Sequence, residues 1–498
     1  MRALLSVWDK TGLIPLARGL ESLGWELIAS GGTSRALADE GIAYTDVATV
    51  TGSPEMLGGR VKTLHPKVHG GILADRSKPE HLADLEANGI TAIDLVVCNL
   101  YPFRSDPSVE MIDIGGPTMV RAAAKNHAHV GIVVNPADYG EVLDELRKEG
   151  ALSDATKRRL ARAAFAHTAA YDAAIVGWLD GDEVLPPTIH LALERVQELR
   201  YGENPHQDGA RYRNIGGTSL WDTAVQHGGM ALSYLNLYDA EAAWQTAYDL
   251  GDGPVAVVVK HANPCGVGVA DTLAQAYQLA FDCDPRSAFG GIVAVNRVID
   301  AATVEEMVAA AQADVVIAPG YEDGVIEALA KKRKNTRVLT ATPPTPFTRD
   351  YRQIDGGFLV QEAHQFKSPV SEWRVVTQRQ PTAEEMRDAE LAWRVCGHVK
   401  SNAIVLVKGG QAVGIGAGQQ NRVESGMIAA SKAAGRAKGG ACASDAFYPF
   451  PDGVEAAADA GVAVVIQPGG SMRDDEVIAK ADELGLAMLF TGERHFLH

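Results

Sequence analysis

The residues best suited to chemistry stand at the end of an apolar run. Pro254–Val259 is followed directly by Lys260 and His261, then by Ala262-Asn263-Pro264-Cys265-Gly266. A histidine titrates near neutral pH and can act as a general base. The lysine beside it supplies positive charge. Adjacent strand residues point to opposite faces, but a strand that stops here lets both reach one cleft. The competing reading is a charged strand terminus without chemistry. Zinc deaminases carry Pro-Cys-x-x-Cys at a helix start with His-x-Glu upstream. Here Gly266, Val267 and Gly268 follow Cys265 and no His-x-Glu precedes it, so a zinc site is not expected. Cys265 as a nucleophile would rest on a helix-start placement alone.

A second constellation lies nearer the N-terminus. Residues 58–71 hold Arg60, Lys62, His65, Lys67 and His69 between two glycine pairs, in a chain of formal charge −17. Arg60 and Lys67 could hold phosphate, and Lys62 could polarise a carbonyl or stabilise an oxyanion. A solvated basic loop is the plain alternative. Ser30-Gly31-Gly32-Thr33-Ser34 follows an apolar run and opens a helix, where unpaired N–H groups suit a phosphate. Its spacing is neither a P-loop nor a dinucleotide fingerprint. Asn99–Phe103 ends another apolar run, where open α/β sheets place ligands. Asp113–Thr118 leads into a helix bearing Arg121 and Lys125, four apart and so on one face. Tyr101, Asp113 and Lys125 could move protons, and each is also common in structural roles. Arg200–Gln207 packs polar groups into a turn. Gly414–Arg422 is glycine-rich after a strand. Ser444–Phe450 is an aromatic set interrupted by proline, able to line a slot for a flat heterocycle or simply to pack.

These groups need a scaffold, and the apolar pattern supplies one. Ala3–Val7, Trp25–Ala29, Ile93–Asn99 and Val130–Asn135 read as strands. Ile14–Leu23, Ser34–Glu40 and Ala155–Trp178 read as helices. The alternation predicts a parallel sheet with helices on both faces. Gly181–Glu183 and Pro186-Pro187 mark a boundary, giving domains 1–182 and 183–498. The second part repeats three features in order: a strand ending in lysine (Val255–Lys260, Ile404–Lys408), a small aromatic segment (Ser287–Gly290, Ser444–Phe447), and a run closing in Pro-Gly (Ala310–Gly320, Ala460–Gly469). Two related α/β subdomains are expected. The 498 residues are 46% hydrophobic and 22% charged, as in ordinary globular proteins. No apolar stretch approaches the ~20 residues of a membrane span. The acidic charge disfavours nucleic acid and anionic membranes as partners. Five scattered cysteines and no signal-peptide pattern point to a reducing, cytoplasmic setting.

Taken together, the segments resemble the bifunctional aminoimidazole carboxamide ribotide (AICAR) formyltransferase/IMP cyclohydrolase family over nearly the whole chain. The likeness rests on LIASGGT, EMLGGRVKTLHPKVHGG, CNLYPF, DIGGPTMVRAAAKNHAHV, LRYGENPHQ, VVKHANPCG, FGGIVAVN, VKSNAIV, GIGAGQQNR, SDAFYPFPDGV and GERHFLH. It implies an α/β fold: a methylglyoxal-synthase-like parallel-sheet cyclohydrolase domain, then a transformylase of two cytidine-deaminase-like subdomains lacking zinc. It implies 10-formyltetrahydrofolate as cosubstrate, no metal, and a homodimer that shares the transformylase site. By resemblance His261 moves the proton in formyl transfer with Lys260 as partner, while Lys62, Tyr101, Asp113 and Lys125 serve ring closure. Ser6, Lys10, Thr11, Gly12, Ser30, Gly31, Gly32, Thr33, Arg60 and Thr63 match nucleotide-binding positions. Arg200, Tyr201, Arg422, Arg494 and His498 match substrate positions in the second domain, and Gly290 and Asp314 face the imidazole carboxamide. Asn402 would bond substrate or folate near the formyl group, and Phe447 and Phe450 would pack on substrate and folate rings. Trp8 departs from the pattern, where a small residue is usual, and is expected to alter local packing only. Two other classes stay open: a regulatory protein that senses a phosphorylated metabolite, and a nucleotide deaminase.

Overall fold

The computed structural model describes residues 1–498. They form two compact units, Met1–Leu193 with Asn214–Gly216, and Glu194–Arg213 with Gly217–His498.

The first unit runs β1 (Arg2–Val7), α1 (Leu13–Ser22), β2 (Glu26–Ala29), α2 (Gly31–Asp39), β3 (Thr45–Asp46), α3 (Val47–Thr51), α4 (Pro66–Leu73), α5 (Pro79–Ala87), β4 (Leu95–Asn99), α6 (Gly115–Lys125), β5 (Gly131–Val133), α7 (Tyr139–Glu149) and α8 (Asp154–Asp180). Its five strands are parallel in the order β3-β2-β1-β4-β5. Continuous apolar runs such as Ala3-Leu4-Leu5 suit a sheet covered on both faces. Leu4, Ile28 and Val96 pack with α4, α6 and α8, while Ala3, Leu5 and Leu27 pack with α1 and α7. Ser153 starts α8 by accepting the Thr156 N–H at 3.2 Å, a cap worth about 1 kcal/mol. One boundary differs from expectation. The helix read from Ser34 begins at Gly31, which takes φ +56°. Glycine alone enters that left-handed region without steric cost, so the first residue of α2 turns the chain from β2 into the helix.

The second unit opens with a ribbon of β6 (Leu193–Leu199) and β7 (Gly209–Asn214). It continues through α9 (Leu220–Thr223), β8 (Val225–Gly228), α10 (Tyr234–Asp249), β9 (Val255–Lys260), β10 (Asn263–Val269), α11 (Leu273–Cys283), α12 (Pro285–Ala288), β11 (Ile292–Val295), α13 (Ala301–Ala309), β12 (Val315–Ala318), α14 (Val325–Lys332) and β13 (Arg337–Thr340). A hairpin of β14 (Arg349–Ile354) and β15 (Gly357–Glu362) follows. Then come β16 (Arg374–Val375), α15 (Ala383–Cys396), β17 (Ile404–Lys408), β18 (Gln411–Gly416), α16 (Arg422–Ala433), β19 (Ala441–Ser444), α17 (Asp452–Asp459), β20 (Val464–Gln467), α18 (Asp474–Glu483) and β21 (Ala487–Phe490). Twelve strands form one sheet, β16-β21-β20-β19-β17-β18-β10-β9-β11-β12-β13-β8. From the antiparallel seam between β10 and β18, the order is the same in both directions. A hairpin comes first, then an antiparallel neighbour, then two parallel strands. The repeated sequence features are thus two copies of one topology. Trp244 of α10 and Trp393 of α15 anchor the shared core on one face. On the other face α11, α13 and α14 cover the first copy, and α16, α17 and α18 the second. Among the described residues, no helix is long and apolar enough to cross a membrane.

A buried histidine group ties the C-terminal segment to this core. His495 is 1% exposed, its Nδ1 is 2.5 Å from His364 Nε2, and its ring lies 4.6 Å from those of Trp393 and Phe366. Burial, with His364 and His398 adjacent, holds the His495 pKa down to about 3. In the unfolded chain the imidazole titrates near ~6.5. Between those values the unfolded state binds the extra proton, so this contribution is complete above the unfolded pKa and is lost as pH falls. Denaturant titrations should show stability declining between pH 6.5 and 4 by up to about 1.4 kcal/mol per pH unit from this group. His495→Gln should flatten that decline.

Candidate active sites

In the first unit, the carboxyl ends of β1 and β4 flank the point where strand order reverses, the usual ligand crevice of such sheets. A cavity of ≈ 790 Å³ lies there. Ser6, Lys10, Ser30, Gly31, Gly32, Thr33, Arg60, Lys62, Thr63, Tyr101 and Asp113 all line it. The N-terminus of α2 carries unpaired N–H groups and partial positive charge, and two ammonium groups converge on it. A Cβ built on Gly31 would lie 3.1 Å from Lys62 Nζ, and one on Gly32 would lie 3.8 Å from Lys10 Nζ. These glycines leave room for cations to meet an anion. Lys10 donates to the Val7 and Trp8 carbonyls, and burial lowers its pKa. Lys62 is paired with Glu55 at 3.0 Å, and Arg60 with Glu110. The Thr33 hydroxyl is already engaged with the backbone of Val7, so it pins α2 to β1.

Asp113 and Tyr101 form the opposite part of the lining. Asp113 accepts the Gly116 N–H at 2.8 Å. Burial pushes its pKa up, while N–H groups of Gly116, Tyr101 and Gly115 pull it back. Burial and the Asp113 charge raise the Tyr101 pKa, which keeps the phenol protonated. Tyr171 holds this segment by accepting the Asp113 N–H and donating to Met111 O.

In the second unit, Lys260 ends β9, and His261 and Ala262 form the two-residue turn into β10, both with φ +54°. Two-residue hairpins favour left-handed central residues, normally glycine or asparagine. The equivalent turn between β17 and β18 is Gly409-Gly410, with φ +59° and +78°. The two turns are held alike. Asp239, in α10, accepts the Ala262 N–H at 2.8 Å. Asp388, at the same place in α15, accepts the Gly409 and Gly410 N–H groups at 3.0 and 3.1 Å. Both helices start with a capping box, at Ser233 and Thr382. His261 therefore stands where the sister copy needs glycine, and such strain is retained where a side chain is required. Lys260 Nζ donates to the Phe289 carbonyl at 2.9 Å. A Cβ built on Gly290 would meet Lys260 Nζ at 3.3 Å and Asp314 Oδ1 at 3.8 Å, so Lys260, Gly290 and Asp314 converge.

A second carboxylate organises the sister half. Asp445 is fully buried. It accepts from Arg422 at 2.7 Å, the Ser401 hydroxyl at 2.5 Å and the Ala403 N–H at 3.1 Å. Its carbonyl accepts the His495 N–H. Asn402 lies between Ser401 and Ala403, its side chain donating to Gln419 O at 2.9 Å. Lys400 donates its N–H to Asn263 Oδ1 and its ammonium to His498 O. Asn402, Arg422 and the 494–498 segment are thus joined to the β9–β10 turn. Tyr448 of the aromatic set enters the core, whereas Phe447 and Phe450 stay exposed. Arg473 lies 4.8 Å over the Phe450 ring, and Arg494 4.4 Å over Phe496.

Several of the expected residues lie apart from these groups in the single chain. Lys125 is exposed on the last turn of α6, whereas Asp113 and Gly115 sit at its first turn. Ten helical residues span ~15 Å, which keeps Lys125 out of the cavity lining. Thr11 and Gly12 also lie outside that lining, in the turn into α1. Arg200 and Tyr201 stand at the end of β6, on a separate sheet from Lys260, with the guanidinium 5.4 Å over the ring. Cys265 lies within β10, not at a helix start, and burial pushes its thiol up to about 12, which disfavours the thiolate. Asp239 and Asp445 had no role assigned from sequence. The available signals were an acidic residue amid the apolar face of α10 and a charge directly after the strand Ala441–Ser444.

The chain is similar to known proteins along its length. The family described as AICARFT/IMPCHase bienzyme matches residues 123–432, and the MGS-like domain matches residues 12–127. The bifunctional purine biosynthesis protein PurH of Roseobacter denitrificans is 50% identical over 522 residues, covering 100% of this chain and 98% of the relative. PurH of Sorangium cellulosum is 51% identical over 524 residues, covering 100% and 99%. A solved structure titled "Crystal structure of ForH" is 41% identical over 36% of this chain and 98% of its own, with a TM-score of 0.34.

The paired turns give a direct stability test. Asp239→Ala and Asp388→Ala each leave backbone N–H groups without their carboxylate. Each should cost about 1–3 kcal/mol in urea or guanidinium unfolding.

Proposed function

The chain belongs to the AICARFT/IMPCHase bienzyme family, and we propose that its two sites divide the two reactions. As a family member it is a bifunctional purine-biosynthesis enzyme. It transfers a formyl group from 10-formyltetrahydrofolate to AICAR and closes the formylated ribotide to IMP. The division assigns ring closure to residues 1–182 and formyl transfer to 183–498. The observation that carries it is the His261-Ala262 turn, a histidine held where the sister hairpin has Gly409-Gly410.

In formyl transfer the amine of AICAR attacks the formyl carbon and the bond to folate N10 breaks. That amine is a weak nucleophile, because its lone pair is conjugated with ring and carboxamide. His261 takes its proton as the new C–N bond forms, a contribution of about 10²–10⁴-fold, and Lys260 supplies positive charge at the formyl oxygen. Gly290 and Asp314 flank the carboxamide. Asn402 and Arg422, set by Asp445, hold the partners, with Phe447 and Phe450 beside the rings. Arg200, Tyr201, Arg494 and His498 complete the site in a homodimer that shares it between subunits. The chemistry uses no metal, and the enzyme works in the cytoplasm on small molecules, not on nucleic acid or membranes.

In ring closure the carboxamide nitrogen attacks the formyl carbon, and the resulting hydroxyl leaves with a proton as water. Both reacting atoms are in one molecule, so holding the right rotamer is much of the catalysis. The phosphate lies at Ser30–Gly32 with Lys10, and Arg60 and Thr63 close the pocket. Lys62 stabilises the developing oxyanion, an effect of about 3–4 kcal/mol. The raised pKa of Asp113 makes it the better base, and the protonated phenol of Tyr101 the donor, because their environments favour opposite roles. Lys125, at the far end of α6, is given no step.

Lys62→Ala should lower ring closure of supplied formylated ribotide by about 10²–10³-fold with formyl transfer kept. His261→Ala should do the reverse, by about 10²–10⁴-fold. Loss of both activities in one folded variant contradicts the division. The ring-closure rate should also fall on acidification, with its midpoint above the ordinary carboxylate value of ~3.9, since Asp113 must be ionised. Asp113→Asn should abolish that limb.

A further inference from the structure

We propose that Trp8 is an aromatic wall of the ring-closing cavity, holding the face of the heterocycle while it becomes a purine. Trp8 follows β1 directly, lines the cavity and is 49% exposed. Trp8 and Tyr101 are the aromatic side chains among the described lining residues. Their ring centroids are 5.1 Å apart at 62°, an edge-on contact that leaves indole surface uncovered. Asn99, at the end of β4, fixes the backbone beneath this ring. Its Oδ1 accepts the Trp8 and Asp9 N–H groups at 2.6 and 2.9 Å, and its Nδ2 donates to Asp9 O at 3.0 Å. The Trp8 carbonyl accepts from Lys10 Nζ at 3.0 Å, so one short segment holds both the indole and an ammonium directed toward the α2 N-terminus.

A large apolar ring fixed at the backbone, half open, in a pocket of cations and glycines fits a flat, electron-rich ligand whose anionic end lies elsewhere. Stacking on an aromatic side chain tolerates many bases because each has a π-face. A bicyclic purine covers more of the indole than the imidazole does, so the product should feel Trp8 more than the substrate. Trp8 thus does more than adjust local packing. This inference rests on the reading that the cavity closes the ring.

The test uses the full-length enzyme with formylated ribotide and IMP, comparing wild type, Trp8→Ser and Trp8→Phe. Trp8→Ser should weaken IMP inhibition by about 10-fold or more and raise KM, with kcat changed less, and Trp8→Phe should restore most of the affinity. IMP should quench indole fluorescence in the wild type. That quench should fall in Trp8→Phe although IMP still competes with substrate. Thermal unfolding and far-UV circular dichroism of each variant report that the first unit is folded. Unchanged IMP affinity in Trp8→Ser, an undiminished quench in Trp8→Phe, or a fall in kcat alone overturns the proposal. A wild type that neither binds IMP nor closes the ring would instead overturn the reading of the cavity.

Discussion

Carboxylates that are buried or half-buried and accept backbone N–H groups set the geometry of both sites. Asp239 holds the turn that presents His261. Asp445 joins Ser401, Ala403 and Arg422, and Asp113 closes the first turn of α6 through Gly116. A desolvated carboxylate is costly unless hydrogen bonds compensate it, and main-chain donors at strand ends and helix starts provide that compensation. The arrangement is mutual. The N–H groups stabilise the charge, and the charge restricts the loop that carries the cationic or imidazole side chain. Without these anchors the loops would be free to move and the short lists of reactive groups would not converge.

The two copies in the second unit separate scaffold from chemistry. Their shared parts are a capping box, a buried aspartate at the same place in the following helix, and a hairpin turn of two left-handed residues. In the β17–β18 turn glycines satisfy that backbone at no steric cost. Lys408 there is paired with Glu384. In the β9–β10 turn the same backbone is imposed on His261 and Ala262, and Lys260 bonds a carbonyl. One copy keeps the less strained turn, and the other carries the reactive residues. The first unit handles its anion differently, with fixed helix N–H groups and two converging ammonium groups at the end of a parallel sheet.

Much of this was legible in the chain because it depends on local pattern. Apolar runs that alternate with amphipathic segments give the first sheet, and Lys260-His261 marked a strand end, though not the hairpin that β10 forms there. The repeat was visible because each copy buries its strands in the same order. Contacts between distant segments were not legible. Asp239 meets Ala262 from a helix 23 residues earlier, and Asp445 meets Arg422 and Ser401 only when β17, β19 and α16 come together. Cys265 was misplaced because a Pro-Cys pair resembles a helix start, yet it continues a strand that pairs with β9. Position along α6, not residue type, separates Lys125 from the cavity. Arg200 and Tyr201 stand at the end of a strand in another sheet, and no local pattern tells which site such residues serve.

The most direct measurement is to transplant the sister turn, combining His261→Gly with Ala262→Gly, and to measure stability and formyl transfer on the same preparation. The account predicts a protein at least as stable as wild type, because two strained residues are replaced by glycine with Asp239 still in place. It also predicts formyl transfer reduced by orders of magnitude and ring closure retained. A less stable protein would show that the left-handed turn is not strained. Formyl transfer near the wild-type rate would show that His261 is not held there for chemistry, and either result would contradict the account.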